Sequence, residues 1–262
     1  FSIKPIVIVA DPFLFVYKNE LFLFYEEQID VRGKGLIKMT KTADLKYWET
    51  PKIVLKENFH LSFPNVFELD GQIYMIPETG EEETIKLYKP NDELTHWVPF
   101  RTLLKGRHYV DSSIIFHNDC YFLFTTDYTD KSNILRLFYS NSLFENWTEH
   151  PNSPIAKGPD TGRNGGSVFK KDGFLFRPCQ LSKSKYGEGL DMYKIETLSK
   201  NEYNEIYLNT VIPNNSKIYR YGGHHFDFCV FRNHIIVATD TLEIKLNYIE
   251  ITKRVFNKLF KH

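Results

Sequence analysis

Three short phrases decide how this chain reads: Ala43-Asp44-Leu45-Lys46-Tyr47-Trp48, Asp92-Glu93-Leu94-Thr95-His96-Trp97 and Ser142-Leu143-Phe144-Glu145-Asn146-Trp147. Their tryptophans are 97 − 48 = 49 and 147 − 97 = 50 residues apart. A fourth phrase, ending at Tyr203, takes the same place in the next repeat. A fixed period of this size is the mark of a repeat architecture. Working outward, each phrase is preceded by an apolar run, a turn and a second apolar run. The pairs are 12–16 with 21–25, 66–69 with 73–76, 113–116 with 121–125, 167–169 with 174–177 and 227–231 with 235–239. Turns such as Asp70-Gly71 between runs of Phe, Tyr, Ile and Val read as β-hairpins. Further apolar runs follow most hairpins, which gives about four strands per repeat. Five such units predict an all-β, five-bladed β-propeller occupying residues 1–262 as a single domain. Segment 6–9 is expected to pair with the last blade. Segment 252–262, with Val255, Phe256, Leu259 and Phe260 at helical spacing among basic residues, predicts a short C-terminal helix.

Composition narrows the function. The chain of 262 residues carries 33 Lys+Arg and 33 Asp+Glu, so it has no basic surplus for nucleic acid. Aromatics at 16% exclude a disordered chain. No apolar stretch is long enough to span a bilayer. Cys120, Cys179 and Cys229 are too few and too scattered for a disulfide scaffold or a zinc site. His60, His224, His225, Asp11 and Asp111 could meet near the axis but show no metal-ligand spacing, and no dinucleotide or phosphate loop is present, so no metal and no cofactor is expected. The expected location is cytoplasmic, with the basic C-terminal helix as a peripheral membrane contact.

The polar residues collect in register with the hairpins. The start of a blade's first strand and the end of its second lie at one face. At first-strand starts stand Asp11, His60, Asp111, Arg163 with Asn164, and His224 with His225. At second-strand ends stand Glu26 with Glu27, Glu78, Arg177 with Gln180, and Asp240. One mouth of the axial channel is therefore expected to be lined with acids, histidines, arginines and amides. Such a pocket suits a carbohydrate or sugar conjugate. Each residue also has a plainer reading: Asp11 before Pro12 as a turn residue, the glutamates as solvated strand ends, the histidine pair as packed core. The shared location in successive repeats favours a pocket. No Gly-x-Ser-x-Gly elbow, phosphate loop or His-Glu-x-x-His is present.

The Asp11-Pro12 opening and the blade pattern resemble family 43 glycoside hydrolases, inverting enzymes on five-bladed propellers. That resemblance implies Asp11 as general base and Asp111 as the aspartate that tunes the acid. The family's general-acid glutamate, expected before the fourth inner strand, is absent; Asn164 stands there. A closer resemblance covers almost the whole chain. Ala10-Asp11-Pro12, 60–64, 76–79, 162–166, 177–180 and Tyr186-Gly187 are similar, in order, to the N-terminal propeller of glucosamine inositolphosphorylceramide transferases. It implies a role in surface-glycan metabolism beside a glycosyltransferase domain or partner.

The residues then divide by role. Asp11, Asp111 and Glu78 are the catalytic candidates, with Glu27 as another stand-in acid and His225 as another proton donor. His60, Arg163, Asn164, Arg177, Gln180, His224, His225 and Glu27 are the binding candidates. The two arginines point to an anionic sugar. The expectation is a carbohydrate-active propeller that binds a glycosyl unit and cleaves or transfers it with inversion. The alternatives are a non-catalytic glycan-binding module and an interaction scaffold.

Overall fold

The computed structural model of the chain describes residues 7–29, 32–144, 146–213, 219 and 222–241. Blade 1 contains β1 (Val7–Tyr17), β2 (Glu20–Ile29), β3 (Gly35–Thr42) and β4 (Lys52–Leu55). Blade 2 contains β5 (Ser62–Leu69), β6 (Gln72–Glu78), β7 (Thr84–Pro90) and β8 (Trp97–Lys105). Blade 3 contains β9 (Tyr109–His117), β10 (Cys120–Asp127), β11 (Ile134–Ser140), β12 (Thr148–Glu149) and β13 (Ala156–Lys157), the last two both pairing with β11. Blade 4 contains β14 (Phe169–Lys171), β15 (Phe174–Leu181), β16 (Gly189–Leu198) and β17 (Tyr203–Ile212). Apart from β13, which shares β11 with β12, strands adjacent in sequence are adjacent and antiparallel in each blade. A two-stranded sheet, β18 (Phe226–Phe231) with β19 (His234–Thr239), completes the described fold.

The hairpins form where the turn chemistry directs. Lys18-Asn19, Asp70-Gly71, Asn118-Asp119, Asp172-Gly173 and Arg232-Asn233 all have φ between 48° and 84°. Positive φ at both central residues is the I′ turn, whose twist matches that of the flanking strands. The core lies between blades rather than at the centre. Phe24, Ile37, Leu61, Met75, Tyr88 and Trp97 pack blade 1 on blade 2. Ile76, Leu87 and Leu123 pack blade 2 on blade 3. Phe122, Phe124, Val168 and Leu175 pack blade 3 on blade 4. Each of these large side chains contributes roughly 1.5–3 kcal/mol by leaving water. With both faces of a blade covered, β2 reads as a nearly continuous apolar run, and the axis is left to polar groups.

Three expectations are corrected. The described residues form a four-bladed propeller, not a five-bladed one. The fifth hairpin repeats the turn signal, but no outer strands join it among the described residues. It lies between blades 4 and 1: the Phe226 N–H donates to Gly165 O at 2.8 Å, and the Leu14 N–H to Asp227 Oδ2 at 2.7 Å. Phe231, Ile236 and Ala238 pack there on Leu21 and Leu23. Second, Val7–Val9 pair with Ile29–Glu27 inside blade 1, not with the last sheet, because β2 is long enough to receive them. Third, among the described residues no helix of seven or more residues is present, and the one helical turn there is Gly80–Glu82. The segment 252–262 lies outside the described residues. The C-terminal helix is therefore withdrawn, and with it the cytoplasmic, membrane-peripheral location it was to support. Among the described residues no helix is long and apolar enough to cross a membrane.

Candidate functional site

The inner strands share one irregularity. Their pairing slips between Ala10 and Phe13, between Ser62 and Asn65, and opposite Thr125 in blade 3. At these bulges Asp11, Phe63 and Asp111 have φ of 51°, 47° and 50°; Gly166 holds the blade 4 position at 149°. A bulge re-aims a side chain. Left-handed backbone costs a residue with a Cβ roughly 1–2 kcal/mol. Buried carboxylates held there mark a site where geometry outweighs stability.

Asp11 Oδ2 accepts the Phe63 N–H at 3.1 Å. Its Oδ1 lies 3.4 Å from His224 Nε2. His224 Nδ1 is 2.7 Å from Asp240 Oδ2, and Asp240 Oδ1 accepts the backbone N–H of both His224 and His225. Across the mouth, Arg163 Nε donates to Asp111 Oδ2, and Gln180 Nε2 donates to the same oxygen at 3.2 Å. Ser62 Oγ donates to Glu78 Oε2 at 3.0 Å. Glu26 Oε1 is buried without a hydrogen-bond partner among the described residues and lies 3.6 Å from His60 Nε2. His60 Nδ1 accepts the Gly35 N–H, so its ring proton sits on Nε2, facing that carboxyl. Asp11, Glu26, Glu78, Asp111 and Asp240 are all buried.

Burial raises the pKa of Asp11 and Asp111, with His224 and Arg163 pulling the other way. Glu26 is pushed well up by burial and by the charges of Asp11 and Glu78. Glu78 is pushed up to about 8 by burial and by Asp111. Burial drives His224 down, but Asp240 outweighs it and holds the imidazolium to about 9. In return His224 overcomes the burial of Asp240 and keeps it at about 2. At neutral pH the cluster combines an ionised Asp240, one imidazolium, one guanidinium and a protonated Glu78. Carboxyls whose environments push them apart are how acid and base roles divide. Ligand atoms of Asp11, His224 and Asp240 lie within 4.8 Å of one another, a spacing a cation can span, although the sequence offers no ligand motif. Here the His224 ring stands between the two aspartates, Nε2 toward Asp11 and Nδ1 toward Asp240.

The candidates separate clearly. Asp11, Glu78, Asp111, Arg163, Gln180 and His224 converge, and His60 stands at the rim. Glu27 points to the other face of β2, where it pairs with Lys38 at 2.6 Å. Arg177 pairs with Glu205 at 2.6 Å inside blade 4, under the ring of Tyr193. Asn164 is fully buried and donates to Asp111 O at 2.8 Å, bracing blade 4 on blade 3. His225 is packed between Phe13 and Phe63 with its Nδ1 3.6 Å from Asp11 Oδ1, and burial lowers it to about 3, so at neutral pH it is a neutral imidazole and not an imidazolium acid. Glu26 and Asp240, expected at the mouth but given no role, complete the site together with Tyr128 and Tyr186, which were not among the candidates. Strand alternation was the signal for Glu26: a neighbour of Glu27 must face the opposite side. Tyr128 and Tyr186 flank the Arg163 guanidinium at 5.7 and 5.2 Å, and Tyr186, half-exposed, also lies over His224.

Comparison with known proteins follows this geometry. The family described as glucosamine inositolphosphorylceramide transferase 1, N-terminal, matches residues 2–238. Glucosamine inositolphosphorylceramide transferase 1 of Oryza sativa subsp. japonica is 36% identical over 220 residues, covering 81% of this chain and 29% of that protein. The Arabidopsis thaliana protein of the same name is 38% identical over 209 residues, covering 77% and 27%. This chain thus spans less than a third of those relatives. Among solved structures, the catalytic domain of the GH62 α-L-arabinofuranosidase of Coprinopsis cinerea superposes with a TM-score of 0.65 at 12% identity, covering 92% of this chain and 86% of that one. At that identity the likeness is one of fold.

Proposed function

The chain belongs to the glucosamine inositolphosphorylceramide transferase 1, N-terminal family, and on that premise we propose that its axial mouth binds a glycosyl unit and cleaves or transfers it with inversion. The single observation that carries this reading is the buried carboxyl cluster. In it two aspartates are held in left-handed bulges opposite a glutamic acid whose pKa is about 8. Asp11 takes a proton from water or an acceptor hydroxyl as that oxygen attacks the anomeric carbon. Glu78 gives its proton to the departing oxygen, the role that Asn164 cannot fill. Asp111, fixed by Arg163 and Gln180, helps keep Glu78 protonated through its negative charge. Tyr186 offers a ring face to the sugar.

Both arginines are already paired, Arg163 with Asp111 and Arg177 with Glu205. The anionic sugar read from them therefore loses its support. Carboxyls outnumber cations at the mouth, which suits a neutral or amine-bearing sugar; the relatives' name contains glucosamine, an amino sugar. A second reading rests on the burial of the acids and on the chain's coverage of its relatives: a binding module that presents a glycan to a glycosyltransferase domain or partner.

Asp11→Asn separates the two. Catalysis predicts that turnover in a screen of furanosides and pyranosides falls about 10²–10⁴-fold, while calorimetric affinity changes little. Saccharide binding by the wild type with no turnover of any glycoside would leave the module reading. The absence of both turnover and binding would overturn both.

A further inference from the structure

Away from the axis, the third repeat phrase meets the outer strand of blade 2. A groove of about 460 Å³ lies there, lined by Arg101, Thr102, Lys105, Phe144, Asn146 and Trp147. Two of the lining residues, Phe144 and Trp147, are aromatic, and further rings lie beside the groove. Phe100 is 45% exposed and contacts both Tyr74 and Phe144 at ring separations of 6.0 and 5.8 Å. Among the described residues that line it, the charged ones are both cations, Arg101 and Lys105. Arg101 and Lys105 are exposed, and Lys89 sits 4.0 Å over the Phe100 ring; among the described residues none of the three has a carboxylate partner. In a chain whose charges sum to zero, two cations over aromatic rings, Arg101 and Lys89, with Lys105 beside them are a local feature.

The equivalent corner of blade 2 is arranged differently. There the Trp97 indole N–H donates to Leu94 O, three residues earlier, at 3.1 Å. In blade 3 the carbonyl three residues before Trp147, Phe144 O, accepts Arg101 Nη1 instead. The Trp147 indole N–H is left buried without an acceptor among the described residues. Arg101 thus ties the two blades together at the cost of an internal hydrogen bond, and stands at the groove.

We infer that this groove is a second saccharide site, separate from the axial mouth, for an anionic oligosaccharide. Aromatic rings stack on the apolar face of a sugar, Thr102 and Asn146 bond hydroxyls, and Arg101 and Lys105 pair with a carboxylate or phosphate on the sugar. Concave shape and polar lining favour a glycan over a bilayer surface, which would meet a protruding apolar ridge.

The test is calorimetric titration of the whole chain with oligogalacturonate, with cello-oligosaccharide of equal length and inorganic phosphate as controls. Lys105→Gln, which touches no inter-blade contact, should weaken oligogalacturonate binding and flatten its salt dependence with the melting temperature held. Adding Arg101→Gln should bring the loss to at least 10-fold and lower the melting temperature as the tie to Phe144 O is lost. Phe144→Ala should weaken it as well, and Asp11→Asn should leave it unchanged. Equal binding of the neutral oligosaccharide would overturn the inference. So would binding indifferent to the paired Gln substitutions, no binding, or sedimentation with phosphatidylserine vesicles in place of glycan binding. Binding of phosphate as tightly as of oligogalacturonate would reduce the site to a simple anion pocket and overturn the saccharide assignment.

Discussion

Adjacent glutamates in β2 have opposite fates: Glu26 enters the carboxyl cluster and Glu27 meets Lys38. Sequence alone identified that acids stand here, but strand parity decides which one counts, and parity depends on where the β1 bulge falls. Glu78 is the residue whose titration is most exposed to test. Its folded pKa of about 8 lies above the ordinary 4.5, so the native state keeps a proton that the unfolded chain has lost. Between those values stability falls as pH rises, and the loss is complete above about 8. Glu78→Gln removes this slope. Its melting temperature relative to wild type should climb steadily from pH 5 to pH 8; parallel curves for the two proteins would show that Glu78 is already ionised. The same proton limits the proposed chemistry, so glycoside turnover, where found, should decline above about pH 8.

Elements follow local chemistry closely. All five hairpin turns lie where Asn, Asp and Gly were read, and all five are I′ turns. The bulges are another matter, because nothing in Ala10-Asp11-Pro12 or Val110-Asp111-Ser112 announces a left-handed aspartate. The Gly166 position is the exception that sequence hints at. A Cβ there would run into Phe226 O, where blade 4 receives the β18–β19 hairpin. Gly166→Ala combines that collision with a φ of 149°. It should lower stability by about 1–3 kcal/mol, the usual cost of overpacking, or more. Urea unfolding measures it; a neutral substitution would mean that the hairpin shifts without cost.

At the scale of the whole molecule, the described ring depends on a short element. Two strands, not four, join blade 4 to blade 1, and Asp227 is their polar clasp on the Leu14 N–H. Asp227→Ala leaves that N–H without its acceptor and should cost about 1–3 kcal/mol in urea unfolding. Asp227→Asn, which keeps an acceptor, should cost less; equal losses would point to packing rather than the hydrogen bond. The amino-acid sequence by itself determined the repeats, the hairpins, the all-β class and the gathering of polar residues at one mouth. These follow from turn chemistry and alternation, which act over a few residues. Tertiary structure alone decided the number of complete blades, the pairing of Val7–Val9 within blade 1, and the members of the site. It turned Arg177 and Glu27 away to private partners, braced Asn164 between blades, and brought Glu26 and Asp240 in. Those outcomes depend on which charges meet after burial, and ion pairs such as Arg163 with Asp111 join residues 52 positions apart, which no local pattern encodes.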